Sequence, residues 1–205
     1  VAPGESFGTT VRVFLAQPSM VKVTAVSLRA PEGWVSAPSQ PAQPDPNNFM
    51  ARFFRENADR TDAFALTVPA GAPPTQPYWL ATPRNGAPMF TWPADAPKGM
   101  PFAPPLVSAE VQAEIGGVAV TLTQSVQYRL VDQVRGELRR NVQVAPAVTV
   151  ALDSKLEVVP LASLGQPRRV AVRVQNNAGS AQAGDVALEV PAGWTVTPAT
   201  APFSL

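Results

Sequence analysis

The sequence predicts an all-β chain organised as two β-sandwich modules, the second of them incomplete. Three observations predict it. Short runs of valine, leucine and phenylalanine alternate with turn residues, and the 205 residues include 24 prolines and 13 glycines. No long stretch keeps a helical apolar period between helix caps. One stretch is used twice: Leu28, Pro31, Gly33, Trp34 and Pro38 recur as Leu188, Pro191, Gly193, Trp194 and Pro198, all at one offset of 160. A shared offset across a Pro-x-Gly-Trp turn marks a repeated module.

Each repeated residue has a structural task. A strand runs up to Leu28 or Val190. Proline ends the ladder because it has no N–H to donate. Glycine supplies the turn backbone that other residues resist. Both tryptophans are expected to plug the end of a hydrophobic core, the commoner use of a large ring.

In chain order, Val11, Val13 and Leu15 alternate in a first strand. Met20 to Leu28 forms a second, in which Val21/Val23 and Val26/Leu28 claim the inward face out of phase. A bulge between them would reconcile the two. Residues 36–48 carry four prolines and read as an exposed, partly polyproline loop. Asp45, Asn47 and Asn48 match no calcium-loop spacing and read as turn residues. Phe49, Phe53 and Phe54 precede a charged turn, Arg55 to Asp62, which reads as a solvated hairpin end. Phe64, Leu66 and Val68 then form a core strand.

Residues 69–105 are the least repetitive and most aromatic part. Asn85-Gly86 is a type I′ turn signal that would set Tyr78–Leu80 beside Met89–Trp92 as extended segments. Tyr78, Trp79 and Trp92 offer flat apolar faces, and Arg84 offers forked donors. Those are the parts of a shelf for a sugar or a peptide. They are also the parts of a packed sandwich end or domain junction, the commoner use of large rings.

Residues 106–131 give a hairpin whose register can be written down. Gly116-Gly117 is the turn, so Ile115 opposes Val118, Ala113 opposes Val120 and Val111 opposes Leu122, all on one face. The returning strand is expected to continue through Val126, Tyr128 and Leu130. Glu110 and Glu114 fall on the outer face. Residues 132–146 cross to the second module, where Val148/Val150/Leu152 and Val170/Val172/Val174 alternate and Asn176 to Gly179 is a turn. The second module has no counterpart of the Phe64–Val68 strand before Leu205. The chain therefore reads as a piece of a longer protein, and the bare sheet edges of the incomplete second module invite self-association.

Composition narrows function. Only 15% of residues are charged and the net charge is +1, which gives no footprint for nucleic acid. No apolar run reaches transmembrane length. The chain has no histidine and no cysteine. It therefore lacks the commonest general base, every thiolate ligand and any Ser-His-Asp arrangement. No metal site, no cofactor and no catalytic residue is expected.

The run Gln76-Pro77-Tyr78-Trp79-Leu80, Phe102-x-Pro-Pro-Leu106 and Tyr128-Arg129-x-x-Asp132-Gln133-Val134-Arg135-Gly136-Glu137-x-Arg139-Arg140 resembles the region after the catalytic domain in large bacterial PIG-L/LmbE-type deacetylases. The repeated module resembles the immunoglobulin-like domain associated with α-galactosidases. These resemblances imply two immunoglobulin-like modules, 1–142 with the insertion 69–105 and 143–205. They also imply a parent enzyme that removes N-acetyl groups from sugars with zinc, in a domain elsewhere in the polypeptide. That family's Pro-His-x-Asp-Asp-type motif has no match here, so accessory status is what carries over. The partners this implies are the catalytic domain of the same polypeptide and cell-surface polysaccharide; the aromatic density of residues 69–105 places the saccharide on Tyr78, Trp79 and Trp92, with Arg84 as donor. The expected setting is extracytoplasmic. The alternative is a structural spacer or protein-interaction module.

Overall fold

The computed structural model describes residues 1–41, 58–84, 86–97, 99–154, 156–163 and 165–205. The described chain is all-β, with twelve strands in small antiparallel sheets and two single-turn 3₁₀ segments. It divides into two compact units, Val1 with Pro3–Val144, and Ala2 with Ala145–Leu205.

The first unit contains β1 (Ser6–Val13), β2 (Val21–Arg29), β3 (Val35–Ser39), β4 (Arg60–Thr67), β5 (Ser108–Ile115), β6 (Val118–Ser125), β7 (Gln127–Asp132) and β8 (Gly136–Asn141). One sheet has the order β1-β4-β3 and another β2-β5-β6. Both contribute to the buried core, through Ala63 and Leu66 of β4 and Ala109 and Ala113 of β5, joined by Val68, Val107 and Val144. Leu66, Val68 and Val107 have no solvent exposure. Two facing antiparallel sheets with a shared core are the construction of a β-sandwich.

The hairpin register is as the alternation predicts. Ile115 pairs with Val118, Ala113 with Val120 and Val111 with Leu122. Both turn glycines have positive φ, 57° at Gly116 and 85° at Gly117, as a type I′ turn requires. The out-of-phase valines of β2 are reconciled by a bulge. Val21 and Val23 pair with Ile115 and Ala113, the register shifts across Thr24, and Val26 and Leu28 pair with Val111 and Ala109. One extra residue returns both valine sets to one face. The freed Thr24 hydroxyl donates to the Gln112 carbonyl at 3.0 Å.

Three expectations are corrected. The proline loop does not begin at 36, because β3 runs to Ser39 and sets Pro38 opposite Phe64. An edge strand tolerates proline, since its outward N–H is not needed. The charged turn ends at Asp59, and Arg60 and Asp62 already belong to β4. The strand after Gly117 stops at Ser125, and β7 leaves to pair with β8 as a separate ribbon. The break falls at Val126, whose N–H donates to Val107 at 2.9 Å. The expectations for Asp45, Asn47, Asn48, Phe49, Phe53, Phe54, Arg55 and Glu56 fall outside the described residues.

The second unit contains β9 (Val148–Leu152) paired with β10 (Val172–Asn176), and β11 (Ala183–Ala187) paired with β12 (Thr200–Ser204). Leu156 and Val158 form no strand and are over four-fifths exposed. Gly184 lies beneath the Phe203 ring, and a Cβ there would sit 3.1 Å from it.

The repeated corner has one geometry in both units. Trp34 N–H donates to the Pro31 carbonyl and Trp194 N–H to the Pro191 carbonyl, each at 3.2 Å. Gly33 and Gly193 have φ of 81° and 89°, the left-handed backbone that glycine adopts without strain. Its use differs. In the first unit the corner carries the chain from β2 in one sheet to β3 in the other, and Trp34 meets Phe7 edge-on at 6.3 Å. In the second, β11 and β12 pair with each other, so the chain does not change sheets. Trp194 accordingly does not plug a core and is 63% exposed.

Candidate functional site

The aromatic segment of the first unit is organised by proline. Pro77, Pro83, Pro88 and Pro93 leave few consecutive N–H groups for a ladder. Tyr78–Leu80 is consequently a 3₁₀ turn, closed by Leu80 N–H on Pro77 at 2.9 Å, and not an extended segment. Met89–Trp92 joins no strand. A turn does form at 84–87, with Ala87 N–H on the Arg84 carbonyl at 2.8 Å. Its Asn85 lies outside the described residues.

Three of the four residues singled out from sequence come together. The Tyr78 ring stands edge-on to Trp79 at 4.9 Å and to Trp92 at 5.3 Å. The Tyr78 hydroxyl donates to the Met100 carbonyl at 2.8 Å, which ties the cluster to the far end of the segment. Edge-to-face contacts at these separations are favourable. Tyr78 and Trp79 are half-buried, and Trp92 is 48% exposed. Arg84 stands apart from this cluster in role: its guanidinium lies 4.9 Å over the Phe90 ring. A cation on that face is held by the ring quadrupole.

Trp79 also lines a groove of about 530 Å³ that brings four separate stretches together. Trp34 arrives from the repeated corner, Pro73, Pro74 and Pro77 from the approach to the 3₁₀ turn, Phe102 and Pro104–Leu106 from the return, and Asn141 and Gln143 from the end of β8. The second and fourth walls are joined by paired hydrogen bonds, Thr75 N–H to the Val144 carbonyl and Val144 N–H to the Thr75 hydroxyl, each at 2.9 Å. No lining residue is charged. The groove therefore offers apolar walls with the amide side chains of Gln76, Asn141 and Gln143 among its lining. That combination suits a neutral ligand that has both apolar faces and hydroxyl or amide groups.

Sequence reasoning placed Trp34 as a core plug and missed Phe102, Asn141 and Gln143 as neighbours of Trp79. The available signal was the pair of proline runs, 73–77 and 104–105, bracketing the aromatic segment.

Several of the described carboxylates have structural occupations. Asp59 accepts Leu15 N–H at 2.6 Å and closes the end of the β1–β4 pair. Asp62 takes Arg60 at 2.7 Å, and this hydrogen bond raises the Arg60 pKa. Glu110 pairs with Arg29 at 3.0 Å. Among the described residues no three or more of His, Cys, Asp and Glu gather as metal ligands, and no helix is long and apolar enough to cross a membrane.

The Tyr128–Arg140 run is a hairpin. Asp132 accepts the N–H groups of Val134 and Arg135 at 2.8 and 2.7 Å, and these bonds lower its pKa. Glu137 binds Arg129 and Arg139, which lowers its pKa likewise.

Compared with protein-family models, curated proteins and solved structures, the chain matches none.

Proposed function

We propose that this chain is a non-catalytic accessory region of a larger glycan-active protein, and that its first unit holds neutral polysaccharide in the Trp34–Trp79 groove. One observation carries the reading: aromatic, proline and amide side chains line one groove with no charge among them. Pyranose rings present apolar C–H faces to aromatic planes and hydroxyls to amides, so such a groove matches their chemistry. An acidic polysaccharide would find no cation inside it. Trp92 extends the shelf outward, Tyr78 fixes the two tryptophans, and Arg84 steadies the Phe90 side.

The lack of histidine and cysteine supports a non-catalytic role. The PIG-L/LmbE-type resemblance supports a sugar N-deacetylase as the catalytic partner in the same polypeptide, an extracytoplasmic setting, and immunoglobulin-like character for both units. Exposed sheet edges add a further partner, a second copy of the chain.

A specific observation favours a second reading, a structural spacer. The Tyr78 hydrogen bond to Met100 and its two edge-on contacts are what packing alone would produce. Affinity electrophoresis in gels cast with neutral or acidic polysaccharide separates the readings. Saccharide binding predicts retardation by a neutral polymer, lost in Trp79→Ala. A spacer predicts equal mobility in every gel.

A further inference from the structure

We propose that two copies of the chain join edge to edge through β6, in an antiparallel pair centred on Thr121. The inference rests on the reading that the chain pairs with itself through sheet edges, and not on saccharide binding. Among the described residues the outer edge of β6 is unpaired, because the sheet order is β2-β5-β6. Exposed edges of natural sheets are blunted by charge, proline, bulges or shortness. The other edges of this unit follow that rule. The strand β2 carries Lys22, Arg29 and the bulge at Thr24. The strand β3 has five residues and includes Pro38. The strand β1 carries Arg12.

The strand β6 has none of these guards. It is eight residues long, Val-Ala-Val-Thr-Leu-Thr-Gln-Ser, without charge or proline. Its core-side residues Val118 and Leu122 are 64% and 55% exposed, so the edge is apolar as well as unpaired.

The occupant follows from parity. In an antiparallel pair, residues directly opposite share a face, and they alternate between pairs that exchange backbone hydrogen bonds and pairs that do not. Ile115 and Val118 flank the two-residue turn as a hydrogen-bonded pair, so the backbone groups of Ala119, Thr121 and Thr123 point away from β5, and a two-fold pair about Thr121 sets these groups against each other across residues 118–124. That register sets Val120 against the second copy's Leu122 on the core side. It sets Thr121 against Thr121 and Ala119 against Thr123 on the outer side. Apolar groups meet apolar groups and threonine meets threonine, both favourable cross-strand pairs, and no like charges meet. The two-fold axis closes the assembly as a dimer, because the far edge of the joined sheet is the guarded β2.

The chain has no cysteine, so single-cysteine variants report the register directly. Opposed Cα atoms in an antiparallel pair are about 4.5–5.5 Å apart, within disulfide reach. At Thr123 the two copies would stand about 13 Å apart, beyond it. Under mild oxidation Thr121→Cys should form a covalent dimer and Thr123→Cys should not. In sedimentation velocity the wild type should run as a dimer at high concentration. Thr121→Lys, an exposed outer-face change that sets two ammonium groups together on the axis, should run as a folded monomer. A monomeric wild type would overturn the proposal. So would a dimer that persists in Thr121→Lys, or equal crosslinking of the two cysteine variants.

Discussion

Arg129 and Arg139 stand directly opposite each other across the β7–β8 ribbon, and Glu137 binds both. Like charges placed opposite in a sheet repel, so the carboxylate converts a destabilising pair into a bridged one. Its Oε1 lies 2.6 Å from the Arg139 Nε. Asp132 fixes the turn between the strands by accepting two backbone N–H groups. The Tyr128–Arg140 run is thus occupied in building a hairpin.

Glu137→Gln should fray that hairpin while leaving the core intact. The variant keeps a hydrogen-bond acceptor but restores the repulsion between Arg129 and Arg139. Amide exchange at Arg129–Val131 and Leu138–Arg140 should accelerate severalfold, with Leu66 and Ala113 unchanged. Unaltered exchange in the hairpin would mean that the bridge is idle.

Acid should open the same ribbon. Hydrogen bonding lowers the pKa of both Asp132 and Glu137 below their ordinary values of 3.8 and 4.5. A carboxyl depressed in the folded state stabilises it above its unfolded pKa, and the contribution is lost as pH falls through the folded pKa. The ribbon should therefore hold unchanged at neutral pH and loosen only below the usual carboxylate range. Side-chain carboxyl shifts followed by NMR against pH should give midpoints below the ordinary values. Midpoints at or above them would contradict the bonding described.

Gly184→Val should destabilise the second unit by about 1–3 kcal/mol, the usual cost of forcing bulk into an occupied space. The Phe203 ring already lies 3.1 Å from where the new Cβ would sit. Phe203→Ala combined with Gly184→Val should recover part of the loss, read as the change in amide protection of β11 and β12. A neutral Gly184→Val would show that the ring moves aside freely.

Leu66→Ala should cost about 2–5 kcal/mol in urea unfolding, as expected for a fully buried leucine. Leu122→Ala, at a residue 55% exposed, should stay within about 0.5 kcal/mol in a chain kept monomeric by Thr121→Lys. Similar costs at the two sites would undermine the placement of the core.

These two leucines show where sequence reading succeeds and where it stops. Alternation fixes which residues share a face, so the Val111–Leu122 hairpin and the bulge in β2 were legible residue by residue. Alternation does not say whether another layer covers that face, so the exposure of Val118 and Leu122 was not legible. The Pro-x-Gly-Trp turn was legible at both copies because its geometry is local. Whether the chain then changes sheets depends on distant pairing partners, and Trp194 was misplaced for that reason. The cluster of Tyr78, Trp79 and Trp92 was visible as aromatic density. The groove was not, because its walls come from stretches around Trp34, Pro74, Phe102 and Asn141 that only the fold brings together.

The central claim is that the Trp34–Trp79 groove takes a neutral saccharide, and the four tryptophans make it directly measurable. Each indole N–H gives its own NMR signal, so a titration with oligomers of N-acetylglucosamine reports on all four at once. The account predicts saturable shifts at Trp34 and Trp79, a smaller one at Trp92 and none at Trp194. Signals that stay fixed at Trp34 and Trp79, with this or other neutral oligosaccharides, would contradict it.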